Sequence, residues 1–209
     1  YGEGDMGPCP HNNPVHVIII VGEWEKYFAK KAISVKISKW RRDNRVMPYS
    51  AKVTGNYVNA GLAKREAEAL GFDDAIVLDR WGNISEASAA NIFIVQDNKL
   101  ITPAAAQSLG TITLDPPVLK GVTRDSLIRL AYDLGISVKE TPINQDLLYD
   151  ADEFFQTGTA AEITPIKDVE EIPIGKICPG PITQKLQELF LKAVRGEIPG
   201  YQKEWLTYV

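Results

Sequence analysis

Histidine, the side chain best suited to acid–base work near neutral pH, occurs only twice, at His11 and His16. Both lie in a Gly- and Pro-rich opening stretch, and nothing marks partners for a His-centred triad. Any general base is therefore expected to be Lys, Asp or Glu. Cysteine is equally scarce. Cys9 and Cys178 lie far apart with no CxxC spacing, which argues against a disulfide framework and leaves too few ligands for zinc. They read as two reduced thiols of a cytoplasmic protein. The longest apolar run, VIIIV at 17–21, is far too short to span a bilayer and reads as a buried strand. No basic block suggests a nucleic-acid footprint, since 23 Lys and Arg are spread among 27 Asp and Glu.

What is present describes a globular α+β chain. Apolar residues make up 44% and charged residues 24%, enough for a sizeable core. The expected strands are 16–22, 32–39, 74–79, 91–96, 99–102 and 136–143, one ending near Gly158, and one from about Ile163. Helices are expected over 54–70, with Tyr57, Val58, Leu62, Ala63, Ala67 and Leu70 inward, over 121–135, capped by Thr123, and over 180–196. Gly71, Gly135 and Gly196 stop them. Residues 103–118 form a long irregular connection, a kind that is often functional. The start, YGEGDMGPCPHNNP, reads as a linker over 1–15 that precedes one domain over 16–209.

Four stretches carry candidate chemistry. In PYSAKVTGNYVNAG, 48–61, Lys52 stands among small uncharged residues with Tyr57 five positions on. An amine there is either a plain surface lysine or, with its pKa lowered, a Schiff-base former beside a flat ring. In GVTRD, Gly121 precedes a helix whose first amides, at Val122 and Thr123, are either ordinarily capped or free to bind an anion. In QTGTAAEITP, 156–165, a Gly-Thr-Ala-Ala turn is either a simple tight turn or a cup for phosphate or carboxylate built from N–H groups and the hydroxyls of Thr157 and Thr159. In NISEASAANIFIV, Glu86 lies between two strands. It is either a partly exposed loop residue or a carboxylate that needs a positive or protonated partner. Together these features make the parts list of pyridoxal 5'-phosphate: an amine, a phosphate cup and an acid for the ring nitrogen.

With AKVTGNYVNA, GNISEASAANIFIV, LITP, GVTRDSLIRLA, DEFFQTGTAAEITP and GPITQKLQELF in order, the chain resembles the class IV (fold-type IV) pyridoxal-phosphate aminotransferases. It is most similar to their branched-chain amino-acid group. The resemblance implies the large domain of that fold, an antiparallel-rich pseudo-barrel flanked by helices. It implies Lys52 as the Schiff-base lysine and proton carrier, Tyr57 at the cofactor phenolic oxygen, and Glu86 at the pyridine nitrogen. Val122, Thr123 and Thr159 would hold the phosphate, and Thr159 with Ala160 the substrate carboxylate. Trp24 and Tyr27 would line the substrate pocket. The reaction implied is ping-pong transfer from a branched-chain L-amino acid to 2-oxoglutarate, as in branched-chain amino-acid biosynthesis, by a homodimer or higher homo-oligomer. The related alternatives are a fold-type IV lyase, such as aminodeoxychorismate lyase, and a D-amino-acid aminotransferase.

The chain departs from the family pattern in three places. The smaller N-terminal domain of the family has no counterpart in these residues, so the 209 residues alone are expected to be an inactive or impaired fragment. Ala90 stands where many relatives carry a second glutamate. The 103–118 connection is longer than the family's usual link and is expected near the entrance to the site.

Overall fold

The computed structural model describes residues 13–14, 16–22, 27–49, 51–109, 112–114 and 116–207. The linker expected over 1–15 thus lies almost wholly outside the described residues, as do Cys9, His11 and Trp24. The chain opens with β1 (Ile33–Arg42) and α1 (Asn56–Ala69). Strands β2 (Asp74–Asp79), β3 (Ile84–Ala87), β4 (Asn91–Gln96) and β5 (Lys99–Thr102) follow as successive hairpins. Their turns use the residues that positive φ favours: Gly82 in the first, Asp97 and Asn98 in the last. A small hairpin, β6 (Gln107–Leu109) and β7 (Ile112–Leu114), interrupts the expected irregular connection. Next come α2 (Val122–Asp133), β8 (Val138–Glu140), α3 (Gln145–Tyr149), β9 (Glu153–Gly158), β10 (Glu162–Val169), β11 (Ile172–Pro173), α4 (Pro181–Val194) and α5 (Pro199–Trp205).

The large sheet runs β3-β2-β1-β10-β9-β4-β5-β8, with β11 on β10. It is mixed: β1 is parallel to both β2 and β10, and the hairpin pairs are antiparallel. Its two ends come together, because the Ile84 amide on β3 donates to the Ile143 carbonyl just past β8 at 2.8 Å. The sheet is therefore a pseudo-barrel. Alternating residues such as Ile76, Leu78, Ile92, Ile94, Phe154 and Ile166 fill its lumen. Their outward neighbours, including Phe93 and Phe155 stacked at 5.3 Å, pack on α2, α4 and α5. Each fully buried phenylalanine contributes on the order of 1.5–3 kcal/mol.

Several expectations are corrected. Residues 16–22 form no strand, and Val17–Val21 are exposed. No strand among the described residues pairs with them, and an unpaired apolar run has neither a ladder nor a face to bury. Helix α1 packs Ala63 and Ala67 onto Ala75 and Val77 of β2, with Ala60 on the same stripe also buried. Tyr57, Val58, Leu62 and Leu70, expected inward, are exposed. Small residues let helix and strand approach closely, so size and not hydropathy selected the packed face. The α2 cap is Gly121 in extended conformation, with Thr123 already inside the helix. The expected 136–143 strand is reduced to β8, and α5 follows the helix expected to be last. Glu86 lies within β3 and not between strands. Among the described residues, no helix is long and apolar enough to cross a membrane.

Candidate active site

Glu86 on β3 is 4% exposed, so its charge needs donors. Three are supplied. Asn91 Nδ2 donates to Oε1 at 2.6 Å, the Leu119 amide donates to the same oxygen at 2.8 Å, and Arg42 Nη1 donates to Oε2. Arg42 ends β1. It also donates to the Ser88 carbonyl at 2.9 Å and lies 5.2 Å from the Tyr49 ring centroid. Burial lowers its guanidinium to about 10, which leaves it charged at neutral pH opposite Glu86. Burial likewise raises the Tyr49 phenol above its usual range. A carboxylate has about four acceptor sites, so one lone pair of Glu86 stays available to a further donor.

Lys52 lies on the loop that enters α1. Asn56, the first helical residue, donates its side-chain amide to the Pro48 carbonyl at 3.2 Å and to the Ala51 carbonyl at 2.9 Å. The asparagine thereby fixes the lysine loop to the helix. Lys52 is exposed and Tyr57 is half-exposed, and both border the same cavity. Of the two sequence readings, a surface lysine or an amine beside a ligand, the loop satisfies both: Lys52 is exposed and borders the cavity.

Two backbone turns face the same space. The first is the start of α2, where residues 122–124 have no helical acceptor for their amides and the positive end of the dipole favours anions. Gly121 is required by packing, because a Cβ there would collide with Asn91 Oδ1. The second is the three-residue turn 159–161 between β9 and β10. Thr157 Oγ1 donates to the Glu162 carbonyl at 2.7 Å, and Thr164 Oγ1 to the Ala161 carbonyl at 2.7 Å. The Thr157 hydroxyl is thus committed to bracing the turn, which favours the tight-turn alternative for that hydroxyl.

These parts surround one cavity of about 690 Å³. Its wall includes Lys52, Tyr57, Glu86, Val122, Thr123, Thr159, Ala160 and Tyr27; of the expected site residues only Trp24 falls outside the described ones. Ala90 also lines it, 8% exposed. The wall also contains Arg42, Tyr49, Asp74, Asn91 and Gln156, none of which was singled out from the sequence. Asn91 carries a legible signal, five residues after Glu86 in the same stretch. Arg42, which is 44 residues from Glu86, carries none.

The family model for class IV amino-transferases matches residues 1–169. A probable branched-chain-amino-acid aminotransferase of Aquifex aeolicus (strain VF5) is 45% identical over 181 residues, which cover 86% of this chain and 55% of that protein. The crystal structure of a T.th. branched-chain amino acid aminotransferase complexed with N-(5'-phosphopyridoxyl)-L-glutamate superposes with a TM-score of 0.78 at 44% identity, covering 85% of this chain and 56% of that one. The branched-chain aminotransferase of Thermoproteus uzoniensis with norvaline gives a TM-score of 0.79 at 40% identity, covering 88% and 58%. The chain therefore spans somewhat more than half the length of these relatives. From the match over most of its residues and the shared fold, the chain belongs to the class IV amino-transferase family.

Proposed function

We propose that this chain provides the cofactor site of a pyridoxal-phosphate-dependent transaminase that moves the amino group of a branched-chain L-amino acid to 2-oxoglutarate. The observation that carries the reading is the convergence of Lys52, buried Glu86 and two amide-rich turns on one cavity. The donor set fits the cofactor: an anion site at each turn, an amine at the open side, and a carboxylate with a spare lone pair. The relatives, which include a complex with a phosphopyridoxyl ligand, support the same assignment. When bound, pyridoxal phosphate supplies a carbonyl that takes up amines and a ring that withdraws electrons.

Lys52 Nζ would hold that carbonyl and would move the proton to and from the substrate Cα. Glu86, which accepts from Arg42, Asn91 and the Leu119 amide, would pair with the ring nitrogen. The Tyr57 hydroxyl hydrogen-bonds the phenolic oxygen. The Val122 and Thr123 amides and Thr159 receive the phosphate, and the Thr159–Ala160 backbone orients the substrate carboxylate. Tyr27 and Trp24 border the substrate. The protein acts as a homodimer or higher homo-oligomer, a reading supported by the exposed apolar side chains of Val17–Val21, Val58 and Leu62.

The test uses the intact protein. Adding pyridoxal phosphate should produce visible absorbance that Lys52→Ala abolishes, with transamination reduced on the order of 10³-fold. A variant that transaminates normally refutes the assignment. Side-by-side assays of L-leucine, D-alanine and aminodeoxychorismate separate the branched-chain reading from the D-amino-acid and lyase alternatives.

A further inference from the structure

Arg42 is 6% exposed, and its N–H groups are not all answered by acceptors. Nη1 donates to Glu86 Oε2, and Nη2 donates to the Ser88 carbonyl at 2.9 Å and the Ala87 carbonyl at 3.3 Å. Nε is buried and has no hydrogen-bond partner among the described residues. A guanidinium taken out of water with a donor unanswered needs another source of negative potential. Tyr49 offers one. Its ring centroid lies 5.2 Å from the guanidinium carbon, within the range at which an aromatic face attracts a cation. Tyr49 is itself only 6% exposed, so the contact is dry, and such an attraction is stronger away from water.

Tyr49 also stands at a telling place in the chain, between Arg42 at the end of β1 and Lys52 on the loop that enters α1. Its backbone is fixed there. The Tyr49 amide donates to Asn44 Oδ1 at 3.2 Å, and the carbonyl of the preceding Pro48 accepts from Asn56 Nδ2 at 3.2 Å. A ring anchored on the lysine's own loop is thus laid against the arginine that holds the carboxylate. Arg42, Tyr49, Lys52 and Glu86 all border the same cavity. Without the ring, the guanidinium fork is free to swing or hydrate, and Glu86 Oε2 is free to turn with it. We propose that Tyr49 is a positioning residue for the cofactor's ring nitrogen: its ring holds Arg42 in the orientation that fixes Glu86, and so sharpens the preference of the site for a ligand with a nitrogen in its ring. This step rests on the transaminase reading, in which Glu86 pairs with that nitrogen. The role belongs to the aromatic face and not to the hydroxyl.

Two ligands test this on the intact protein: pyridoxal phosphate and its analogue with CH in place of the ring nitrogen, with dissociation constants read by calorimetry. Both carry the phosphate and the carbonyl, so the ratio of the constants isolates the nitrogen. The wild type should prefer pyridoxal phosphate about tenfold, the worth of one hydrogen bond to a charged group. In Tyr49→Leu the preference should fall to about threefold, through loss of one cation–π contact. Tyr49→Phe keeps the ring and should keep the preference. A merely structural role would lower the folded fraction or weaken both ligands alike, and leave the ratio unchanged. An equal fall in Tyr49→Phe and Tyr49→Leu overturns the proposal. Should Tyr49→Leu not fold, replacing Tyr49 by pentafluorophenylalanine decides, because it keeps the ring's shape and reverses the charge of its face: a fall supports the proposal and an unchanged ratio overturns it. Wild-type protein that gains no visible absorbance with pyridoxal phosphate overturns the transaminase reading, and this proposal with it. Wild-type protein that absorbs but shows no preference overturns the pairing of Glu86 with the nitrogen, and again this proposal. A preference that persists undiminished in Tyr49→Leu overturns this proposal alone.

Discussion

Asn91 Nδ2 donates to Glu86 Oε1 at 2.6 Å, and its own Oδ1 lies where a side chain on Gly121 would have to go. One asparagine thus ties the buried carboxylate to the start of α2, the two places where a cofactor's ring nitrogen and phosphate would be held. Gly121→Ala should displace Asn91 or the helix start and cost about 1–3 kcal/mol. Gly158→Ala forms a contrast. A Cβ there meets only Ala89 O and Ala90 at 3.8 Å, an ordinary contact. Chemical denaturation should show Gly158→Ala within about 0.5 kcal/mol of wild type, while pyridoxal phosphate titration shows weakened binding if the turn approaches the ligand.

Arg42 and Glu86 are both buried, so removing one partner strands the other's charge. Arg42→Met should cost about 3–5 kcal/mol. Combining it with Glu86→Gln, which neutralises the stranded carboxylate, should recover part of that loss. A double-mutant cycle by urea unfolding measures the coupling; additive losses would show that the pair contributes nothing as a pair.

Arg124 is 2% exposed and donates to the Pro103 carbonyl at 2.9 Å and to Glu140 at 2.5 Å. It anchors the start of the 103–118 connection to α2. Glu140 is nearly half-exposed and can rehydrate, so Arg124→Met should cost only about 1–3 kcal/mol. Hydrogen exchange should quicken over 104–120 before it does in β4 or β9. Uniform quickening would show that the anchor is global.

Tyr201 donates to Asp133, and burial followed by that hydrogen bond pushes its phenol up to about 12 from 10.0. A folded pKa above the unfolded one gives stability that is whole below pH 10 and lost as pH rises towards 12. Urea midpoints at about pH 9 and about pH 11 should therefore fall more steeply for wild type than for Tyr201→Phe. Parallel slopes would remove Tyr201 as the titrating group.

Local grammar made much of this molecule legible. Strict alternation in Ile33–Ile37 marked β1, and Gly71, Gly135 and Gly196 all take positive φ where helices end. The hairpin turn Asp97–Asn98 was equally plain. Failures fell where a partner decides the outcome. The VIIIV run has the composition of a buried strand but pairs with no described strand. Helix α1 packs Ala63 and Ala67 onto Ala75 and Val77, while Val58, Leu62 and Leu70 stay outside.

The same division holds at the site. The sequence by itself determined the candidate groups Lys52, Tyr57, Glu86 and the turns at Gly121 and Gly158, because short segments place their own backbone amides and loops. It also determined the family. Only the tertiary structure decided that Glu86 is buried against Arg42, that Thr157 braces its own turn, and that Gln156 meets Asp74 across 82 residues. Those contacts depend on which strands lie side by side and on a sheet curled until its ends meet. Strand order is a long-range property that no local pattern of residues encodes.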